Sequence, residues 1–194
     1  MRKKTIAMII LCIPFLFGCG NSFDTSSMTL TKDGIVKSYI VEDFSAAYYN
    51  ASELEQSITA DINSYNADYE NEVIKLKEFV VEEGILNATI TYENADVYEE
   101  FNEETLFFGS MSEAIEKGYK FDVTFYSVTD PTQKTDYDTI KKENNYHVVI
   151  FTEPVNVKVA DKVVYISDGL QKGDGTKEVM VTDTTKEIYY IIYE

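Results

Sequence analysis

The sequence predicts an α+β fold, in which an antiparallel sheet is packed by one long and two short helices and the C-terminal half is rich in strands. Two patterns carry this prediction: apolar residues recur at helical spacing after Ser52, and they recur every second residue after Gly118. The chain has 194 residues, of which 44% are hydrophobic and 26% charged, as is typical of an ordinary globular domain.

The first predicted elements are a hairpin and the long helix. Asp33 and Gly34 separate two runs rich in β-branched and aromatic residues, which is typical of a tight hairpin turn. Ser52 and Glu55 then have the spacing of a capping box, so the long helix is predicted to begin at Ser52. Its predicted apolar stripe comprises Leu54, Ile58, Ile62, Tyr65 and Tyr69.

A second hairpin and two short helices complete the N-terminal half. The hairpin is predicted to turn near Glu83 and Gly84, and its returning strand alternates apolar with polar residues from Leu86 to Tyr92. One face of this strand is therefore expected to be buried. The two short helices are predicted near 95–102 and 111–117, the second with Ser110 and Glu113 as its capping box.

The C-terminal half is predicted to be all-β. It consists of short runs with a period of two, separated by turn residues. The last run, EIYYIIYE, is predicted to be a central or paired strand, because so apolar an edge would favour aggregation. One domain over 28–194 is the default prediction. If the body has two subdomains, they are an α+β unit (28–128) and an all-β unit (139–194).

The N-terminus has the pattern of a secretory signal. Arg2, Lys3 and Lys4 precede an apolar run over 6–17, which is too short for a membrane-spanning helix of about 20 apolar residues. Such a signal is expected to be removed from the mature protein.

The signal ends in Leu16-Phe17-Gly18-Cys19, which resembles the lipobox of bacterial lipoproteins. The resemblance implies that residues 1–18 are removed, that Cys19 is the lipid attachment site, and that 19–27 form a lipidated tether. It further implies that the membrane is a partner through this lipid and that the body lies outside the cytoplasm. In the alternative interpretation, Cys19 is an incidental residue of an ordinary signal peptide.

Charge and cysteine content exclude several classes of function. The formal net charge of −17 becomes −20 once Arg2, Lys3 and Lys4 are removed, which argues against nucleic-acid binding because phosphate contacts need Lys and Arg. Cys12 and Cys19 are the two cysteines of the chain, so the folded body has no thiol for a bridge, a nucleophile or a soft-metal site.

The sequence predicts no catalytic residue, no cofactor and no metal site. His147 is the one histidine and has no cysteine beside it in the body to complete a zinc site. Carboxylate pairs such as Glu82-Glu83 are too numerous for any one pair to indicate catalysis. The segment DGLQKGDGTKE departs from the EF-hand spacing and is better interpreted as a glycine-rich hairpin.

Fifteen tyrosines raise the possibility of an aromatic binding surface. In the two pairs Tyr48-Tyr49 and Tyr189-Tyr190, adjacent residues of an extended chain would point to opposite faces, so at least one tyrosine of each pair is expected to be exposed. All four are candidate binding positions.

The leading functional hypothesis is a non-enzymatic binding or interaction module of the cell envelope, whose partner is an extracellular protein, peptide or glycan. The first alternative is a secreted hydrolase of wall or environmental polymer, which would need two facing acids in a cleft, one of them with a raised pKa. The second alternative is a small importer-associated binding protein.

Overall fold

The computed structural model describes residues 24–141 and 146–194 and confirms the α+β fold. The predicted signal, Cys19 and most of the tether lie outside these described residues. No helix within the described ranges combines the length and apolar character needed to cross a membrane.

Four helices and thirteen strands are present in the described ranges. The helices are α1 (Ala51–Asn66), α2 (Ala95–Asn102), α3 (Met111–Glu116) and α4 (Tyr137–Ile140). The strands are β1 (Ser27–Leu30), β2 (Val36–Asp43), β3 (Ile74–Glu82), β4 (Ile85–Tyr92), β5 (Leu106–Ser110), β6 (Phe125–Ser127), β7 (Lys134–Thr135), β8 (His147–Phe151), β9 (Asn156–Lys158), β10 (Val163–Ser167), β11 (Leu170–Lys172), β12 (Glu178–Val181) and β13 (Tyr189–Tyr193).

The strands form two sheets. The larger sheet has the order β11-β12-β9-β1-β2-β4-β3, and the smaller one has the order β5-β8-β13-β10-β6-β7. Neighbouring strands are antiparallel except for β1 and β9, which run parallel with Met28 opposite Val157. Each sheet contains strands from both sides of the loop 129–138, so neither sheet follows the division into subdomains considered at that loop.

Two hydrophobic clusters cover the faces of the smaller sheet. The larger cluster joins both sheets and α1, since it combines Met28 of β1, Ile191 of β13 and Ile62 of α1. The second cluster covers the opposite face of β8 and β13 and includes Met111 of α3 and Ile140 of α4. Strands β8 and β13 are therefore buried on both faces.

Both predicted hairpins are confirmed. β1 and β2 pair antiparallel across the turn that contains Gly34, whose φ is 90°. β3 and β4 pair across Glu83 and Gly84, with φ values of 52° and 79°. Two successive positive φ angles are the geometry of a type I′ turn, which fits the right-handed twist of the paired strands. The alternating burial of β4 is confirmed as well.

The predicted start of the long helix is wrong, because Asn50 and not Ser52 is the N-cap of α1. The Asn50 side-chain oxygen accepts hydrogen bonds from the backbone N–H groups of Ser52 and Glu53 at 3.1 and 3.3 Å. The Asn50 side-chain amide also donates to the Glu53 carboxylate at 2.9 Å. The same asparagine therefore binds two backbone N–H groups of the first turn and one of its side chains. Ser52 lies within the first turn and accepts a hydrogen bond from Gln56 instead.

The apolar stripe of α1 is present but shorter than predicted. Ile62 is buried, Leu54, Ile58 and Tyr65 are half-buried, and Tyr69 lies beyond the end of the helix and is exposed. Helices α2 and α3 are confirmed, with the capping box of Ser110 and Glu113 at the start of α3. The short elements β5, β7 and α4 were not predicted, whereas β11 pairs antiparallel with β12 and confirms the glycine-rich hairpin predicted in this segment.

The expectation of one exposed tyrosine in the pair Tyr189-Tyr190 is wrong, because Tyr189 is 0% and Tyr190 3% exposed. The two rings do point to opposite faces of β13, but each face is covered by its own hydrophobic cluster. Their strand lies between β8 and β10, which confirms the prediction that EIYYIIYE is a central, paired strand.

Candidate functional site

Three aromatic residues between β2 and α1 form the most exposed apolar feature of the described chain. Phe44, Tyr48 and Tyr49 are called the aromatic patch below. Tyr48 is 83% and Tyr49 46% exposed, which confirms the exposure expected for this pair. The Tyr49 ring stacks on the Phe44 ring, with centroids 4.8 Å apart and an interplanar angle of 26°. The Tyr48 ring contacts the Tyr49 ring edge to face, with centroids 4.8 Å apart and an interplanar angle of 64°.

The backbone under the aromatic patch is held at both ends. The Phe44 N–H donates to the Gly84 carbonyl at 2.7 Å, which ties the segment to the turn of the β3–β4 hairpin. A side chain at Gly84 would come within 3.2 Å of the Ser45 side chain, so the two segments are in close contact. The Tyr49 N–H donates to Ala46 at 3.0 Å, and Asn50 then caps α1.

The electrostatic surroundings of the aromatic patch are negative. Hydrogen bonds from Ser45 hold the pKa of Asp43 below its ordinary value, so this carboxylate beside the patch is ionised at neutral pH. A hydrogen bond with Tyr48 raises the pKa of Tyr49, and the charges of Asp43 and Glu42 act in the same direction. Burial raises the pKa of Glu42, which faces Leu86 across the sheet.

A second surface feature is an open cleft of about 430 Å³ beside α2. It is lined by Asp96, Glu99, Glu100, Glu103, Glu104 and Thr105. Four of these five acids form hydrogen bonds or ion pairs within the protein, so they contribute to the structure around the cleft. The partners are the Leu106 N–H for Glu99 (2.9 Å), Tyr65 for Glu100 (2.9 Å), Thr152 for Glu104 (2.7 Å) and Lys117 for Asp96 (3.1 Å).

The acid with a raised pKa near this cleft does not line it. Burial raises the pKa of Glu153, which follows β8 and accepts a hydrogen bond from the Tyr98 hydroxyl. Glu104 raises that pKa further through its charge. The hydrolase alternative requires the perturbed acid to face a second acid inside one cleft; Glu104 lines this cleft, whereas Glu153 is not among its lining residues.

The remaining sequence candidates are accounted for by local contacts. His147 is exposed at the start of β8, with its ring 5.5 Å from that of Tyr193. Asp168 forms an ion pair with Lys186 at 2.6 Å, in a segment that forms β11 and β12. Among the described residues, no group of three or more His, Cys, Asp or Glu side chains is arranged to hold a metal ion.

Sequence reasoning missed two participants at these sites. Phe44 follows the end of β2, where neither the strand period nor the helix period applies, although its place five residues before Tyr49 could have drawn attention to it. The contact of Tyr98 with Glu153 joins residues 55 positions apart, and no local pattern indicates it.

Comparison with known proteins adds nothing to this geometry. No known protein family, curated protein or solved structure matches the chain.

Proposed function

We propose that this protein is a lipid-anchored binding module of the bacterial cell envelope that contacts an extracellular partner through the aromatic patch. The observation that carries the proposal is the exposure of Tyr48 and Tyr49 on a segment tied to both a hairpin turn and a helix start. Tyrosine combines a large apolar ring with a hydroxyl that remains hydrated, and it is enriched at protein interfaces.

The fixed backbone supports this proposal. A segment that is already ordered loses little conformational freedom when a partner binds, so more of the contact energy appears as affinity. Neither ring contributes to the packing of α1, because that helix packs through Ile62 and its half-buried neighbours.

The proposed anchor is a diacylglyceryl group on Cys19. One acyl chain holds a protein to a bilayer only marginally, whereas two chains hold it stably at about 0.8 kcal/mol per buried CH₂. An anionic body would gain no further attraction from anionic lipids, so the lipid is the whole attachment. The described end of the predicted tether 19–27 belongs to the fold, since Ser27 begins β1 and the Ser26 hydroxyl donates to the Val41 carbonyl at 3.1 Å.

The anchor is tested by Cys19→Ala, with Cys12→Ala as the matched control. We expect Cys19→Ala to abolish labelling by a radioactive fatty acid and to release the protein into the medium or leave its signal uncleaved. Cys12→Ala should behave as the wild type, since Cys12 lies within the apolar part of the signal. Normal processing and membrane retention of Cys19→Ala would contradict the anchor.

The binding surface is tested with the unlipidated body, residues 20–194, and envelope fragments of the producing bacterium. We expect saturable co-sedimentation that Tyr48→Ala/Tyr49→Ala reduces at least about tenfold, as hot-spot aromatics do. Ile115→Ala on α3 is the control, because Ile115 is a similarly exposed apolar residue at 45%. Equal retention of the double variant and the wild type would refute the aromatic patch as the binding surface.

A further inference from the structure

We infer that the aromatic patch receives the Lys or Arg side chains of a cationic segment of a protein partner. This inference rests on the proposed function and adds the chemistry of the ligand. It follows from the angles between the rings, from the charge around them and from the lysines that this protein places over three other rings.

The rings of the aromatic patch do not form one flat platform. Phe44 and Tyr49 are nearly parallel, but Tyr48 stands at 64° to Tyr49. A sugar ring stacks best on a single flat surface, whereas a compact cation gains from several ring faces at different angles. The 83% exposure of Tyr48 leaves its ring accessible for such a contact.

The charged residues of the segment that carries the aromatic patch are all acidic. Residues 38–74 include eight acids and no Lys, Arg or His, and the aromatic patch lies within this stretch. Asp43 precedes Phe44 directly, and the exposed Glu83 adjoins Gly84, whose carbonyl binds the Phe44 N–H. Carboxylates beside aromatic faces attract a cation at long range and pair with it on contact.

Elsewhere in the described chain, the protein places its own lysines over three aromatic rings, of which Phe107 is buried and Tyr126 and Tyr137 are half-buried. Lys117 lies 5.5 Å from the centroid of Phe107, Lys134 lies 5.6 Å from Tyr126, and Lys141 lies 5.4 Å from Tyr137. Over 24–141 and 146–194, no lysine lies above a ring of the aromatic patch in this way. An external cation can therefore occupy the position that an internal lysine takes at the other three rings.

The test is an NMR titration of the ¹⁵N-labelled body with hexa-arginine, with hexaglutamate as the ligand control. We expect hexa-arginine to shift the amide signals of 42–49 and 82–85, and hexaglutamate to shift none of them. Because cation–π contacts at exposed sites are weak, loss of two rings should weaken hexa-arginine binding about tenfold. Asp43→Asn should weaken it as well, by a smaller factor.

Two matched variants separate the rings from general acidity and from folding. Tyr69→Ala removes a tyrosine that is 40% exposed and stacked on Tyr65, near Glu100, and should leave the affinity unchanged. Tyr48→Leu/Tyr49→Leu keeps apolar bulk but removes the aromatic faces, and should weaken binding as much as the alanine variants do.

Two outcomes overturn the inference: shifts confined to the acidic cleft over 96–105, or equal affinity of the wild type and the leucine variant. If envelope retention depends on Tyr48 and Tyr49 while hexa-arginine does not bind there, the binding module stands and the cationic ligand is wrong. If both assays are insensitive to the two tyrosines, the proposed function and this inference both fail.

Discussion

The two adjacent-tyrosine pairs of this protein have the same residues and opposite surroundings. Tyr48 and Tyr49 lie in a loop and are 83% and 46% exposed, whereas Tyr189 and Tyr190 lie in β13 and are 0% and 3% exposed. The difference arises because β13 has a strand on each side and a hydrophobic cluster on each face. Whether a Tyr-Tyr pair is buried thus depends on the elements packed around it, and the two residues alone do not predict it.

The hydroxyl groups show the same contrast. The Tyr189 hydroxyl donates to the Asp183 carbonyl at 2.8 Å, and the Tyr190 hydroxyl donates to the Lys120 carbonyl at 2.6 Å. A buried hydroxyl without a partner would cost free energy, and both are satisfied by backbone oxygens. Tyr48 and Tyr49 are 83% and 46% exposed, so their hydroxyl groups can bond to water instead.

The largest difference in stability is expected when one tyrosine of each pair is replaced by alanine. Tyr190→Ala should lower the free energy of unfolding by about 3–5 kcal/mol, because it removes a ring packed against Phe121 and Phe125. Tyr48→Ala should change the free energy of unfolding by less than about 0.5 kcal/mol, as is usual at the surface. Urea unfolding with unchanged m-values measures both, and similar losses for the two variants would contradict the comparison.

A smaller effect is expected where a buried tyrosine binds a carboxylate. Tyr98→Phe keeps the ring packed against Tyr92 but leaves the partly buried Glu153 without its donor. The free energy of unfolding should fall by about 1–3 kcal/mol at neutral pH. A variant as stable as the wild type would show that water replaces the lost hydroxyl.

The same contact predicts a pH dependence. Burial raises the pKa of Glu153 above its ordinary 4.5, so the folded protein holds this proton more tightly than the unfolded chain does. The resulting stabilisation is present below about pH 4.5 and is lost as the pH rises through the folded-state pKa. Glu153→Gln should therefore be more stable than the wild type at pH 7, and the difference should shrink towards pH 4. If the stability difference between Glu153→Gln and the wild type grew on acidification, the pKa of Glu153 would be lowered by folding, which would contradict this prediction.

The smallest of these effects concerns the helix that follows the aromatic patch. Asn50→Ala should cost about 1 kcal/mol, because the backbone N–H groups of Ser52 and Glu53 lose their acceptor. Ser52→Ala should cost less than about 0.5 kcal/mol, since its hydroxyl caps nothing. The reverse order of the two thermal unfolding midpoints would place the cap at Ser52.

Local chemistry made part of the fold predictable. The two hairpins follow from Gly34 and Gly84, whose positive φ angles a turn requires, and the alternation of β4 follows from one covered face. Asn50 and Ser52 are both good caps, and the choice between them depends on the Asn50 amide also reaching Glu53. The parallel pairing of β1 with β9 joins residues more than 120 positions apart, which no local pattern encodes.

Of the two tyrosine pairs predicted as binding positions, only Tyr48-Tyr49 belongs to the candidate site. Tyr48 and Tyr49 were expected to include an exposed residue, and they do, because they lie in the loop between β2 and α1 and not in a strand covered on both faces. Tyr189 and Tyr190 were not predictable as core residues, because their burial depends on the order of strands in the smaller sheet and on α3 and α4 above it.

The most direct test of the central claim is photo-cross-linking in living cells, with p-benzoylphenylalanine placed at position 48 or at the exposed control position 115. The proposed role of the aromatic patch predicts a discrete cross-linked product from position 48 that disappears when Tyr49 is also replaced by Ala, and no such product from position 115. No product from position 48, or the same products from both positions, would contradict it.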